Sequence, residues 1–259
     1  MPKFSANISL LFTEVAFLDR FNAAANAGFK AVECQFPYAY DAAEIASKLD
    51  IHGLELVLYN LPAGNWEAGD RGIACDPARI AEFQHGIYDA LTFSTLLKTE
   101  QLNCLAGVKP KNITNNIAEK TLIENLRYAS HRLSAAGIRL LIEPINQYDI
   151  PEFFISTSAQ ALALIASADV DNLFLQYDVY HMQRTEGELA HTIRANLARI
   201  SHIQIADNPG RAEPGTGEIN YRYLLPWLDE VGYQGWVGCE YNPRGDTSAG
   251  LGWLTDAAH

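Results

Sequence analysis

Nothing in these 259 residues is apolar for long enough to span a membrane, since no run of about 18 apolar residues occurs. The amino-terminal MPKFSANISLLFTE does not read as a secretory leader either. Its apolar run is short, Ser and Asn interrupt it, and no small-residue cleavage site follows. Cysteine is scarce. Cys34, Cys75, Cys104 and Cys239 are scattered without a C-x-x-C pair, which argues against a thiolate zinc site and for buried, reduced thiols in a cytoplasmic protein. Positive charge is also short, with 19 Lys plus Arg against 31 Asp plus Glu and a formal net charge of −12. Such a surface repels phosphate backbones and disfavours a nucleic-acid partner. A few local cations could still dominate one pocket and hold a small anionic substrate. Low-complexity segments, charge blocks and Ser/Pro linkers are missing, so a single domain over 1–259 is expected. Assembly into a homo-oligomer stays open.

What the chain does contain is an alternation. β-rich runs occur at FSANIS (4–9), KAVECQF (30–36), LELVLYN (54–60), LNCLAG (102–107), IRLLIEP (138–144), LFLQYDV (173–179), ISHIQIA (200–206) and GWVGCEY (235–241). Several are nearly continuous apolar stretches, as expected of parallel strands covered on both faces. Between them lie helical patterns: VAFLDRFNAAANAGF closing on Gly28, ARIAEFQHGIYDALTFSTLL, NIAEKTLIENLRYASHRLSAAG closing on Gly137, and STSAQALALIASA behind N-capping Ser/Thr residues. Eight such units predict an α/β fold, a closed (β/α)8 TIM barrel. An open doubly wound sheet would want a glycine fingerprint after the first strand, and none is there.

The last four strands end on polar residues in phase. Glu143, Asp178, Gln204 and Glu240 follow one another at intervals of 35, 26 and 36 residues, each about one βα unit. Equivalent positions on successive barrel strands meet at the carboxy-terminal face, where barrel active sites are built. A buried unpaired carboxylate is costly, and three together repel unless a cation lies between them. Three carboxylates and an amide oxygen form an all-oxygen set suited to a hard divalent metal, Mg²⁺ or Mn²⁺ before Co²⁺ or Zn²⁺.

Other residues carry two readings. His181, in YDVYHMQR, either donates to a substrate oxygen or is bonded into structure. Asp149 touches substrate hydroxyls or caps a turn, with the turn the simpler reading. Arg211, Lys109 and Arg71, in the loops after strands seven, four and three, could each neutralise a substrate carboxylate, with a solvated surface charge as the default. The Gly-rich segment LPAGNWEAGDRGIACDP after strand three could act as a lid, with Trp66 excluding water or simply packing.

The strand endings IEP, YDVYH, IQIAD and GCEY resemble those of the xylose-isomerase-like barrels, the sugar-phosphate isomerase/epimerase and endonuclease IV-like superfamily. Within it, FSANISLLF, NLPAGNWEAGDRGIAC, LLIEPIN, YDVYHMQRTEGEL, IADNPGRAEPGTGEINY and GWVGCEY are similar to the hydroxypyruvate isomerase family, from the first strand to about residue 254. The resemblance implies reversible isomerisation of hydroxypyruvate and 2-hydroxy-3-oxopropanoate, a small anionic hydroxy-oxo acid. It also implies two glutamates as proton donor and acceptor, which fall on Glu143 and Glu240. Ketose 3-epimerases of the superfamily usually have His where this chain has Gln204, which weakens an epimerase reading. The 2-oxo-tetronate isomerases share most of the motifs, although NLPAGNWEAGDRGIAC is more similar to the hydroxypyruvate enzymes. A metal-dependent endonuclease would want several His ligands and a basic face, and only seven histidines are present. A non-catalytic sugar-acid binder is the remaining class.

Overall fold

In the computed structural model, which describes residues 2–256, eight parallel strands close in sequence order and β8 pairs back onto β1. The strands are β1 (Lys3–Asn7), β2 (Ala31–Glu33), β3 (Glu55–Asn60), β4 (Gln101–Cys104), β5 (Arg139–Ile142), β6 (Leu173–Asp178), β7 (Ile200–Ile205) and β8 (Trp236–Cys239). Each overlaps one of the eight β-rich runs. Around them lie α1 (Arg20–Asn26), α2 (Ala42–His52), α3 (Ile80–Leu97), α4 (Asn115–Ser134), α5 (Ser158–Ala168), α6 (Val179–Thr185), α7 (Leu189–Asn196) and α8 (Tyr221–Glu230), followed by α9 (Gly252–Asp256). The chain is thus a single-domain (β/α)8 TIM barrel.

Local chemistry sets the helix starts. Thr157 caps α5 through Gln160 N while the Gln160 side chain returns to the Thr157 backbone, a reciprocal box that satisfies two otherwise orphaned donors. Asp41 accepts from Ala43 N and Glu44 N to begin α2, a helix the apolar periodicity did not single out. The helical pattern from Val15 resolves into a short 3-10 turn, Phe17–Asp19, before α1 begins. All four cysteines are buried, and burial pushes the Cys75 thiol up to about 12, so they are packing residues.

The interior of the barrel is polar where bulky aliphatic side chains are more usual. Buried pairs at i and i+2 share a face of their strand: Ser5 and Asn7, Gln101 and Asn103, Gln176 and Asp178, His202 and Gln204. They hydrogen-bond both across the lumen and between neighbouring strands. Gln101 on β4 meets His202 on β7 at 3.3 Å, and Gln176 meets Gln204 at 2.6 Å.

The segment after β3 is more anchored than a free lid would be. Gly72 and Gly107 both have positive φ (111° and 94°), and a Cβ on either would run into the other's backbone. Cys75 N donates to Ala106 O at 3.0 Å, fixing the far end of the segment, and its exposed residues are confined to the stretch 64–69, where Trp66 itself is half-buried. There Trp66 packs on Phe36 at 5.1 Å between ring centroids.

Replacing Thr157 by Ala should cost about 1 kcal/mol through loss of the α5 cap, lowering the melting temperature by about 2–4 °C. Calorimetry would check this. An unchanged melting temperature would show that the cap is redundant.

Candidate metal centre and active site

The carboxy-terminal ends of β5, β6 and β8 bring three carboxylates together. Glu143 follows β5 directly, Asp178 is the last residue of β6, and Glu240 follows β8 directly. One ligand atom from each of these, and one from His181 in the first turn of α6, lie within 4.8 Å of one another, and all four residues are buried. Such a group can hold a metal ion. Asp178 Oδ1 accepts from Tyr180 N (2.7 Å) and His181 N (3.2 Å), which starts α6, while Oδ2 is buried without a hydrogen-bond partner. A buried carboxylate oxygen left bare among other carboxylates is what a cation-binding site requires.

Electrostatics record the crowding. Burial pushes the Glu143 carboxyl well above its usual range, and Glu240 and Asp178 add to the shift. Burial raises Asp178 to about 7, with Arg211 pulling the other way and Glu240 adding. Glu240 is raised by burial against the pull of Arg211. Amides hold the outer oxygens: Asn103 donates to Glu143 Oε2 (3.0 Å), and Asn7 (3.1 Å) and Gln35 (3.3 Å) donate to Glu240 Oε1.

Of the three candidate cations, Arg211 alone reaches the carboxylates. Its Nη2 donates to Glu240 Oε2 at 2.7 Å and its Nη1 to Asp149 Oδ2 at 3.4 Å, and the guanidinium lies 5.3 Å from the centre of the Tyr180 ring. Asn242 N donates to Arg211 O at 2.7 Å, which ties the loop to the segment after β8. Asp149 is not a turn cap here: its other oxygen accepts from the Tyr180 hydroxyl at 3.0 Å. Lys109 donates to Pro110 O and Ile113 O, and Arg71 to Trp66 O and Asp70 O, so each bonds the backbone of its own loop. Arg71 also stacks on Trp66, 4.4 Å from the ring centre.

The tautomer of His181 follows from its neighbour. Asn146 Oδ1 accepts from Tyr148 N (3.0 Å) and Asp149 N (2.9 Å), so its amide nitrogen must donate to His181 Nδ1, 2.6 Å away. The ring proton is then on Nε2, facing Asp178 Oδ2 (3.6 Å) and Glu143 Oε1 (3.9 Å). Burial, helped by Arg211 and Arg184, pushes the imidazole well below its usual value and keeps it neutral. His181 therefore turns a donor into the cluster, whereas a metal ligand must offer a lone pair.

Gln204 pairs in register with Asp178 across β6 and β7. Its Nε2 donates to Glu33 Oε1 at 2.7 Å and its Oε1 accepts from Gln176 at 2.6 Å, which leaves the carbonyl a second lone pair. Glu33, Asn7, Asn103 and Asn146 were missed by reading strand ends alone. Glu33 carried the same signal as Glu143, a carboxylate inside the apolar run KAVECQF.

Known proteins give the family. A profile of the xylose isomerase-like TIM barrel family matches residues 21–257. The hydroxypyruvate isomerase of Escherichia coli (strain K12) is 51% identical over 254 residues, 98% of each chain. A 2-oxo-tetronate isomerase of Cupriavidus necator is 44% identical over 254 residues, again 98% of each chain. A solved structure of an AP endonuclease, family 2, from Brucella melitensis superposes with a TM-score of 0.97 at 44% identity, covering 99% of each chain. The D-psicose 3-epimerase of Clostridium cellulolyticum H10, at 18% identity and a TM-score of 0.74 over 97% of this chain and 89% of its own, shares the fold. Profile, relatives and closed strand order converge: the chain belongs to the xylose isomerase-like TIM barrel family.

Proposed function

We propose that this protein is a metal-dependent isomerase interconverting hydroxypyruvate and 2-hydroxy-3-oxopropanoate. The observation that carries the reading is the disposition of two glutamates. Glu143 and Glu240 come from β5 and β8, three strands apart in the closed order, and their carboxylates meet in one cluster. Each has one oxygen held by a buried amide and the other turned inward, Glu143 Oε1 toward His181 and Glu240 Oε2 toward Arg211. The full-length similarity to an isomerase named for this substrate supports the assignment.

The reaction moves a proton from C3 to C2 through an enediolate, and its barrier is mainly the negative charge that develops on the substrate oxygens. Glu143, Asp178, Gln204 and Glu240 would hold a Mg²⁺ or Mn²⁺ ion, which when bound supplies Lewis-acid stabilisation of that charge. One glutamate removes the proton as general base and the other serves the second carbon. Burial raises both carboxyls in the cluster itself. Ligation to a metal would lower their basicity but would also acidify the substrate proton, so the mismatch with a weak carbon acid narrows. His181, with Nε2–H fixed by Asn146, donates to a substrate oxygen. Arg211 binds the substrate carboxylate in exchange for Asp149 or Glu240, and Asp149 sets where the guanidinium waits. Arg71 and Lys109 take supporting places in the surrounding loops. Four buried reduced thiols fit a cytoplasmic setting.

A second reading, isomerisation of a four-carbon 2-oxo acid, is favoured by the 44% identity to a 2-oxo-tetronate isomerase. Strand breakage at abasic DNA fits less well, because a chain of net charge −12 repels the phosphate backbone.

Stripped of metal and resupplied with Mg²⁺, Mn²⁺, Co²⁺ or Zn²⁺, the protein should regain turnover best with the first two, and faster on hydroxypyruvate than on 2-oxo-tetronate. Failure of every metal to restore turnover on either substrate would overturn the isomerase reading. Glu240→Gln should keep the side chain's shape but lose at least about 100-fold in kcat with metal bound. Wild-type turnover in that variant would remove Glu240 from the mechanism.

The raised carboxyls also set a pH dependence. A carboxyl whose folded pKa lies above its unfolded value costs stability as pH rises through the folded value, here about 7 for Asp178. Metal-stripped protein should therefore melt at a lower temperature at about pH 8 than at about pH 6, and saturating Mg²⁺ should remove most of that difference. Calorimetry showing equal or greater stability of the stripped protein at the higher pH would contradict the assigned cluster.

A further inference from the structure

Glu33 on β2 is completely buried beneath the carboxylate cluster, and no step above uses it. Four side chains converge on it. Ser5 Oγ (2.9 Å) and His202 Nε2 (2.8 Å) reach Oε2, and Asn7 Nδ2 (3.1 Å) and Gln204 Nε2 (2.7 Å) reach Oε1. An ionised carboxylate only accepts hydrogen bonds, so each neighbour must turn a donor toward it.

The His202 arm shows how far this constraint extends. At its far end the Arg139 guanidinium only donates, and Nη1 reaches Ser201 Oγ at 3.1 Å. The Ser201 hydroxyl donates to Gln101 Oε1 at 3.0 Å, so Gln101 Nε2 donates to His202 Nδ1 at 3.3 Å and the imidazole proton is left on Nε2 for Glu33. An obligate donor at the amino-terminal mouth and an obligate acceptor below the cluster fix the direction of every bond between them.

We infer that Glu33 is a positioning residue: by accepting from Gln204 and Asn7 it fixes which way both amides face. The Gln204 carbonyl is thereby turned away from Glu33, where it accepts from Gln176 and keeps a second lone pair that would serve a metal, and the second amide proton of Asn7 reaches Glu240 Oε1. The fold makes room for this carboxylate. Gly238 on β8 pairs in register with Gln204, and a Cβ there would collide with both Glu33 oxygens. The inference rests on the proposed metal set, since it assigns the residue that orients one ligand and steadies another.

The test is Mn²⁺ affinity, by electron paramagnetic resonance or titration calorimetry, in Glu33→Gln. The substituted amide can donate as well as accept, so Gln204 is free to turn over. Outer partners of metal ligands contribute about 10- to 100-fold to affinity, and a loss of that size is expected in a variant that still melts cooperatively. A purely structural role would lower the melting temperature and leave Mn²⁺ affinity alone. A folded Glu33→Gln that binds Mn²⁺ within about twofold of wild type overturns the inference. Should that variant fail to fold, Gly238→Ala carries the same expectation, because its methyl displaces the carboxylate while every hydrogen-bonding group remains. Wild-type protein that binds no Mn²⁺ overturns the metal reading and this inference together, whereas unchanged affinity in a folded variant overturns this inference alone.

Discussion

Mutual repulsion among the buried carboxylates of Glu143, Asp178 and Glu240 is the constraint to which the surrounding structure answers. Three carboxylates within a few ångströms cannot all ionise without compensation. The fold supplies it in three forms. The amino terminus of α6 gives two backbone donors to Asp178, Arg211 gives a full positive charge to Glu240, and the amides of Asn7, Gln35 and Asn103 take the outer oxygens. None of these reaches Asp178 Oδ2. The compensation is therefore partial, which suits a site meant to exchange one cation-like partner for another.

The polar lumen is the second half of the same arrangement. A barrel filled with aliphatic side chains could not orient amides from below. Here Ser5, Asn7, Glu33, Gln101, Gln176, His202 and Gln204 fill that space, nearly all satisfied by one another. A satisfied buried network is rigid because each member leaves its neighbour one orientation. The rigidity is local, since Asn103 Oδ1 and Gln176 Oε1 stay without partners close to the carboxylates. His181 is governed in the same manner from the side, through Asn146 and two backbone amides of the loop after β5.

What could be read from the sequence follows from the repeat. Glu143, Asp178, Gln204 and Glu240 stood out because one βα unit returns the chain to the same height on the next strand, so spacing alone set them at one end. Glu33 obeys the same logic but sits on a strand of only three residues, and its partners come from β1 and β7. No linear spacing announces those contacts. Ranking Arg71, Lys109 and Arg211 was beyond the sequence for another reason. Each lies in a loop, and whether a loop cation serves the site or bonds its own carbonyls depends on backbone path. Asp149 shows the same limit, because its partners Tyr180 and Arg211 lie 31 and 62 residues away.

The paired glycines at 72 and 107 place two loops backbone against backbone with no side chain between them. Such a seam has no rotamers to absorb displacement, so the loop after β3 and the loop after β4 are mechanically one plate at that point. Any displacement of the segment beyond its exposed part would have to carry the chain around Lys109 with it. Displacement of either loop at the seam is in this sense displacement of both.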